Sequence, residues 1–248
     1  MKIRSLLEAV LSVFCWIAIC ALTVFWTLPM FLVYLVHCWI DPDRKINHRF
    51  AGFWGRSLVA MPGGRIRIFG RENLPKDRPV ILMANHLSYS DVPVLFNLRY
   101  PFKWMADAPL FRIPFFGWAM WMAGYIPIQR GNPKAGLRSL ESAKATLAKG
   151  ISVFLFPEGT RSRTGELGRF QTGGFRLAAA TGTPIVPVVL VGTRELLPRS
   201  TWVFRINSRV QIHILPPVAS ASGSMREVHQ FAEQVRWEMA QVYEANLI

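Results

Sequence analysis

Val80-Ile81-Leu82-Met83-Ala84 is an unbroken apolar run, and it gives way at once to Asn85-His86-Leu87-Ser88-Tyr89-Ser90-Asp91. A short apolar run bounded by polar, turn-forming residues reads as a strand buried on both faces. Residues 152–156 have the same build and run into Pro157-Glu158-Gly159-Thr160-Arg161-Ser162. Outward from these two strands, Arg65–Phe69 reads as another. So does Ile185–Val191, interrupted by Pro187, and residues 209–215 alternate polar and apolar. Helical signals lie between them. Asn132 and Pro133 form a cap and first position for a helix to Lys149, which Gly150 stops. Ser224 and Glu227 form a capping box, after which Val228, Phe231, Val235, Met239 and Val242 recur at helical spacing. The fold class is α/β: a mixed sheet flanked by helices.

The N-terminal part is different. Residues 9–40 contain no Asp, Glu, Lys or Arg. One helix of that length is about 48 Å long, against a hydrocarbon core of about 30 Å. Pro29 is expected to break or kink it. Two arrangements follow: a span through residues near Leu6 to Leu28 with a second helix after it, or a two-helix hairpin that dips in and returns. Lys2 and Arg4 before the run and Arg44, Lys45 and Arg49 after it lean towards the hairpin, with both ends on the cytoplasmic side. Residues 1–58 are therefore expected to form a membrane anchor and residues 59–248 the α/β domain. Bulk composition agrees, with 51% hydrophobic residues, 18% charged residues and a net charge of +14 across 248 residues. Such a chain suits an anionic membrane surface. Cys15, Cys20 and Cys38 all fall in the apolar run and form no disulfide or zinc pattern.

Two segments carry chemistry. A histidine near neutrality takes a proton from a hydroxyl, and a nearby aspartate holds its tautomer and stabilises its cation. His86 and Asp91, five residues apart after a strand, suit those roles. A turn histidine beside a helix-capping aspartate is the plainer alternative. In the second segment, a glycine, two hydroxyls and Arg161 suit an anion, because guanidinium grips phosphate oxygens through two donors. Glu158 is placed to orient that arginine or to meet a substrate hydroxyl. A polar turn with a local ion pair is the alternative there. Ser88 and Ser90 lack the glycine-flanked turn of a covalent nucleophile. Trp104, Phe111, Phe115, Phe116, Trp118 and Trp121, with Lys103 and Arg112, suit a membrane interface or a packed core.

Taken together, Asn-His-x4-Asp and Phe-Pro-Glu-Gly-Thr-Arg-Ser, each after an apolar strand, resemble the glycerolipid acyltransferase family, most of all its 1-acyl-glycerol-3-phosphate acyltransferases. Gly124-Tyr125-Ile126-Pro127-Ile128-Gln129-Arg130 resembles a block whose arginine helps bind phosphate. Ile185-Val186-Pro187-Val188 resembles the family's late apolar block. The resemblance covers about residues 60–215, and the apolar N-terminal helices fit bacterial members. It implies His86 as base and Asp91 as its partner, with Arg130, Glu158, Gly159, Thr160 and Arg161 binding substrate. It implies an acyl group moving from acyl-CoA or acyl-carrier protein to a lysophospholipid, with no cofactor or metal. It also implies membrane lipids as partners and a bacterial inner membrane as the location, with the active site on the cytoplasmic side. One departure is visible: where the family often has Phe-Lys-x-Gly, this chain has Phe170-Gln171-Thr172-Gly173, with Arg169 adjacent.

Other classes fit less of the chain. Another lysolipid acceptor stays open. A non-catalytic adaptor for anionic lipid leaves His86 and Asp91 without a purpose. Nucleic-acid binding rests on net charge alone, with no recognition motif. A metal-dependent hydrolase needs further ligands, and His37, His48, His213 and His229 form no cluster with His86 in the sequence.

Overall fold

A computed structural model describes residues 2–129, 131, 133–199, 201–220 and 224–247. Its sheet contains β1 (Arg65–Phe69), β2 (Ile81–Ala84), β3 (Phe102–Asp107), β4 (Ile126–Ile128), β5 (Ser152–Leu155), β6 (Ile185–Val191) and β7 (Arg209–Ile214). The order is β1-β7-β6-β2-β5-β3-β4. Every neighbouring pair is parallel except β6 with β7, which is antiparallel. The sheet is therefore mixed. The helices are α1 (Lys2–Leu35), α2 (His37–Ile40), α3 (Lys45–Ala60), α4 (Asp91–Leu95), α5 (Phe116–Met122), α6 (Pro133–Ala148), α7 (Gly173–Thr181), α8 (Thr193–Leu196) and α9 (Met225–Ala245).

Successive strand residues point to opposite faces, so each buried strand feeds two cores. Leu82, Phe154 and Val186 pack with Met30 of α1, Val59 of α3 and Met120 of α5. Ile81, Val153 and Val189 pack with Ala143 of α6, Phe175 of α7 and Val235 of α9. The helical signals hold where they are described. Gly150 follows α6 with φ +76°, which favours glycine, and the Ser224–Glu227 capping box is formed. Asn132, the expected cap of α6, lies outside the described residues.

Several expectations are corrected. Pro187 does not interrupt its strand: β6 is continuous and buried throughout. The Pro187 carbonyl accepts from the Leu215 N–H at 2.9 Å, just past the last β7 residue. The missing proline N–H therefore falls where the β6–β7 ladder ends. Pro29 does not break α1, which runs on to Leu35. Thr27 and Met30 on either side of it are buried, and this packing outweighs one absent helix bond. The turn comes later, at residues 36–44. α3 then runs back along α1, with Trp26 against Phe50 and Phe53 and the Trp54 indole N–H bonded to Thr23 at 3.0 Å. Among the described residues, one helix is long and apolar enough to cross a membrane, over Leu6–Leu35, and 11% of its most apolar window is buried. α3 itself runs from Lys45 to Ala60.

The aromatic stretch divides. Trp104 and Phe111 are core residues, while Trp118 and Trp121 on α5 are more than half exposed. β3 was not read from the sequence because Lys103 sits within it. That side chain is buried, and its ammonium donates to the carbonyls of Arg44 at 3.0 Å and Ala123 at 2.7 Å. Burial lowers its pKa to about 8.

α3 docks on the domain through a glycine. A Cβ at Gly55 would lie 2.4 Å from Phe96 Cδ2, and Phe96 is 4% exposed. Gly55→Val is therefore expected to destabilise the protein by about 2 kcal/mol, as overpacking does, despite the slightly better helix propensity of valine. Thermal unfolding of the detergent-solubilised protein measures it. An unchanged melting temperature would show that α3 is free to move off Phe96.

Candidate active site

Parallel neighbours end on the same edge of a sheet, and loops beyond those ends meet there. β6, β2 and β5 are adjacent and parallel, so the segments after Ala84, Leu155 and Val191 converge. The contacts are direct. The Ser162 N–H donates to the His86 carbonyl at 2.8 Å. The Ser88 hydroxyl donates to the Leu197 carbonyl at 2.6 Å and the Ser90 hydroxyl to the Thr193 carbonyl at 2.9 Å. Both serines are buried, so their hydroxyls serve to brace the loop.

Asp91 opens α4 and is fully buried. One of its oxygens, Oδ2, accepts from His86 Nδ1 at 2.7 Å, from Leu87 N–H at 2.6 Å and from Ser88 N–H at 2.8 Å. Oδ1 is buried with no hydrogen-bond partner. The same contact assigns the histidine: a carboxylate can only accept, so Nδ1 carries its proton and Nε2 is left as the basic nitrogen. The imidazole lies flat on Phe156, with ring centres 4.0 Å apart. With 19% of its side chain exposed, His86 is both held and reachable.

Glu158 is buried, and its carboxylate oxygens accept from main-chain amides, Oε1 from His86 N–H at 2.8 Å and Oε2 from Gly168 N–H at 2.9 Å. Burial raises its pKa, and the two amide bonds and His86 oppose that shift. Gly159 follows at φ +72°, a conformation that closes the turn onto the Phe156 carbonyl at 3.1 Å and suits glycine.

A cavity of about 980 Å³ opens beside His86. It is lined by Glu158, Gly159 and Thr160, by Trp26 and Met30 of α1, by Trp54 of α3 and by Phe116 of α5. Gly136 and Leu140 of α6 also line it. The lining is mainly apolar, with a few polar groups near the histidine.

The structure thus brings His86, Asp91, Glu158, Gly159 and Thr160 to one place. Arg161 is adjacent but outside the cavity wall, with its guanidinium 3.5 Å from the centre of the Tyr89 ring. Its carbonyl accepts from Arg199 Nη1 at 2.7 Å. Arg130 lies outside the described residues. Sequence reasoning missed Phe156 as the plate under the imidazole, and it missed Tyr89 and Arg199. Phe156 is the first residue of a quoted segment. Arg199 arrives by tertiary packing alone, and no local pattern marks it. Among the described residues no three His, Cys, Asp or Glu side chains gather as metal ligands.

Known proteins resemble this chain in sequence and in fold. The acyltransferase family profile matches residues 65–191. The chloroplastic 1-acyl-sn-glycerol-3-phosphate acyltransferase LPAT1 of Arabidopsis thaliana is 39% identical over 180 residues, covering 72% of this chain and 50% of that one. The chain spans 50 to 58% of the length of the relatives from Arabidopsis thaliana, Brassica napus and Chlamydomonas reinhardtii. The 1-acyl-sn-glycerol-3-phosphate acyltransferase of Pseudomonas aeruginosa is 32% identical over 190 residues, 75% of this chain and 71% of that one. The crystal structure of the 1-acyl-sn-glycerophosphate acyltransferase PlsC from Thermotoga maritima superimposes with a TM-score of 0.78 across 98% of this chain and 100% of that one, at 24% identity, and so shares the fold. A profile match over half the chain, with a relative 32% identical across 71% of its own length, makes this protein a member of the acyltransferase family.

Proposed function

We propose that this protein moves a fatty acyl group from acyl-CoA or acyl-carrier protein to the free hydroxyl of 1-acyl-glycerol-3-phosphate, giving phosphatidic acid. The observation that carries the reading is the 2.7 Å contact from His86 Nδ1 to Asp91, with His86 on the wall of a large apolar cavity. Nε2 takes the proton of the acceptor hydroxyl. The oxygen forms its bond to the thioester carbonyl carbon, and the tetrahedral intermediate collapses with cleavage of the carbon–sulfur bond. The imidazolium returns its proton to the departing thiolate, leaving an ester and a thiol. Asp91 stays ionised and stabilises the imidazolium between the two transfers. A thioester is activated enough for this route to need no cofactor. The apolar cavity suits an acyl chain. Glu158 holds the His86 main chain from beneath, and Arg161 is the cation for the acceptor's phosphate. Arg130 joins it by family resemblance.

The same reading places α1 in a membrane, with the active site on the cytoplasmic side of a bacterial inner membrane. Support comes from its apolar surface, where Leu6, Phe14, Ile17, Phe25, Leu28 and Leu32 are exposed, and from the basic residues flanking the run.

Three outcomes follow. His86→Ala lowers turnover at least about a thousandfold if the imidazole is the general base, and Asp91→Asn is also severe. Acyl transfer from acyl-CoA and acyl-carrier protein to a panel of lysolipids measures both, and near-normal turnover of the alanine variant removes the mechanism. Arg161→Lys keeps the charge and loses the planar fork. It raises the acceptor's KM about tenfold, the equivalent of one charge-assisted hydrogen bond, and leaves the donor's KM unchanged. A shift confined to the donor would reassign Arg161 to the carrier's phosphates. Alkaline carbonate washing leaves the protein in the membrane pellet, and release into the supernatant overturns insertion of α1.

A further inference from the structure

Arg161 stands apart from the other cations of the site in how it is held. Its guanidinium carbon lies 3.5 Å from the centre of the Tyr89 ring, within van der Waals contact. Its Nη1 is buried and has no hydrogen-bond partner among the described residues. On the main-chain side, its carbonyl receives Arg199 Nη1 at 2.7 Å. Tyr89 itself is 62% exposed, so core packing does not explain its place. It sits in the loop between His86 and Asp91, whose ends are fixed by the Asp91 carboxylate and by Ser88 and Ser90.

A guanidinium offers a ligand two different surfaces. Its flat faces stack on aromatic rings, while all its N–H donors point outward in the plane. A ring on one face therefore consumes no donor and removes the freedom to rotate. A buried donor without a partner is unfavourable until an acceptor arrives, and Nη1 is such a donor. Both features suit a multi-oxygen anion such as a phosphate, two of whose oxygens approach in the plane of the guanidinium.

We infer that Tyr89 is a positioning residue for the acceptor's phosphate: its ring sets the plane of the Arg161 guanidinium so that the in-plane donors meet the phosphate oxygens as a pair. The inference rests on the reading of Arg161 as the acceptor's phosphate ligand. It also offers a compensation for Gln171 where the family often has lysine: Arg161 is oriented by Tyr89, with its main chain tied down by Arg199.

The test is steady-state kinetics with 1-acyl-glycerol-3-phosphate and a fixed acyl donor, using the full-length protein in membranes. Tyr89→Leu raises the acceptor's KM about fivefold, in the range of a partly desolvated cation–ring contact, with kcat and the donor's KM little changed. Tyr89→Phe keeps the ring and restores the acceptor's KM to within about twofold of wild type, since the hydroxyl has no part in the stacking. In an Arg161→Ala background, Tyr89→Leu has no further effect on kcat/KM, because the coupling between the two positions is gone. The inference is overturned if Tyr89→Leu leaves the acceptor's KM at the wild-type value, if Tyr89→Phe fails to restore it, or if the loss persists in full without Arg161. When Arg161→Lys raises the acceptor's KM and Tyr89→Leu does not, only this inference falls. When neither does, the phosphate-binding role of Arg161 falls with it.

Discussion

A buried carboxylate must find donors or lose its charge, and Glu158 finds them in the main chain of two separate loops. It accepts from the amide of His86, after β2, and from the amide of Gly168, in the long segment after β5. No side chain competes for those oxygens among the hydrogen bonds described. The carboxylate acts as a clasp: the histidine's backbone, the turn at Gly159 and the segment leading to Phe170 all take their positions from it. Asp91 repeats the device one loop away, gathering two amides and the imidazole on a single oxygen. Two buried acids organise the site, and neither has to move during the reaction drawn from it.

Sheet order explains why segments about 70 residues apart in the chain meet. β2 lies between β6 and β5, all three parallel, so three loops leave the same edge side by side. The cavity then follows from the two-faced burial of those strands. α1, α3 and α5 cover one face while α6 and α7 cover the other, and at the strand ends the two layers part around His86.

Much of this was legible in the residues. The strands that carry the two signature loops are short apolar runs, and such runs announce themselves. The histidine–aspartate pair and the Glu-Gly-Thr-Arg turn stand beside them. What was not legible depends on distance in the chain. β3 hides because Lys103 reads as a surface residue until its ammonium is seen between two carbonyls. Pro187 reads as a break until the ladder is seen to end beside it. Pro29 likewise reads as a break until its neighbours are seen buried. Arg199 shows no pattern of its own, since only the packing of the segment after β6 onto the His86 loop brings it to Arg161.

Lys103 has a mechanical side. Its ammonium is shared between the carbonyl of Arg44, at the head of α3, and that of Ala123, at the foot of α5. One residue along β3, Trp104 stacks on Phe156, and Phe156 lies beneath His86. Few links separate the helical layer from the imidazole, and none of them is a loose tether. The distance between His86 and the apolar flank of α1 is thus a built-in dimension, like the arm of a depth gauge. Under the proposed membrane placement of α1, that dimension would set the depth at which an acceptor's hydroxyl has to be carried to reach the imidazole.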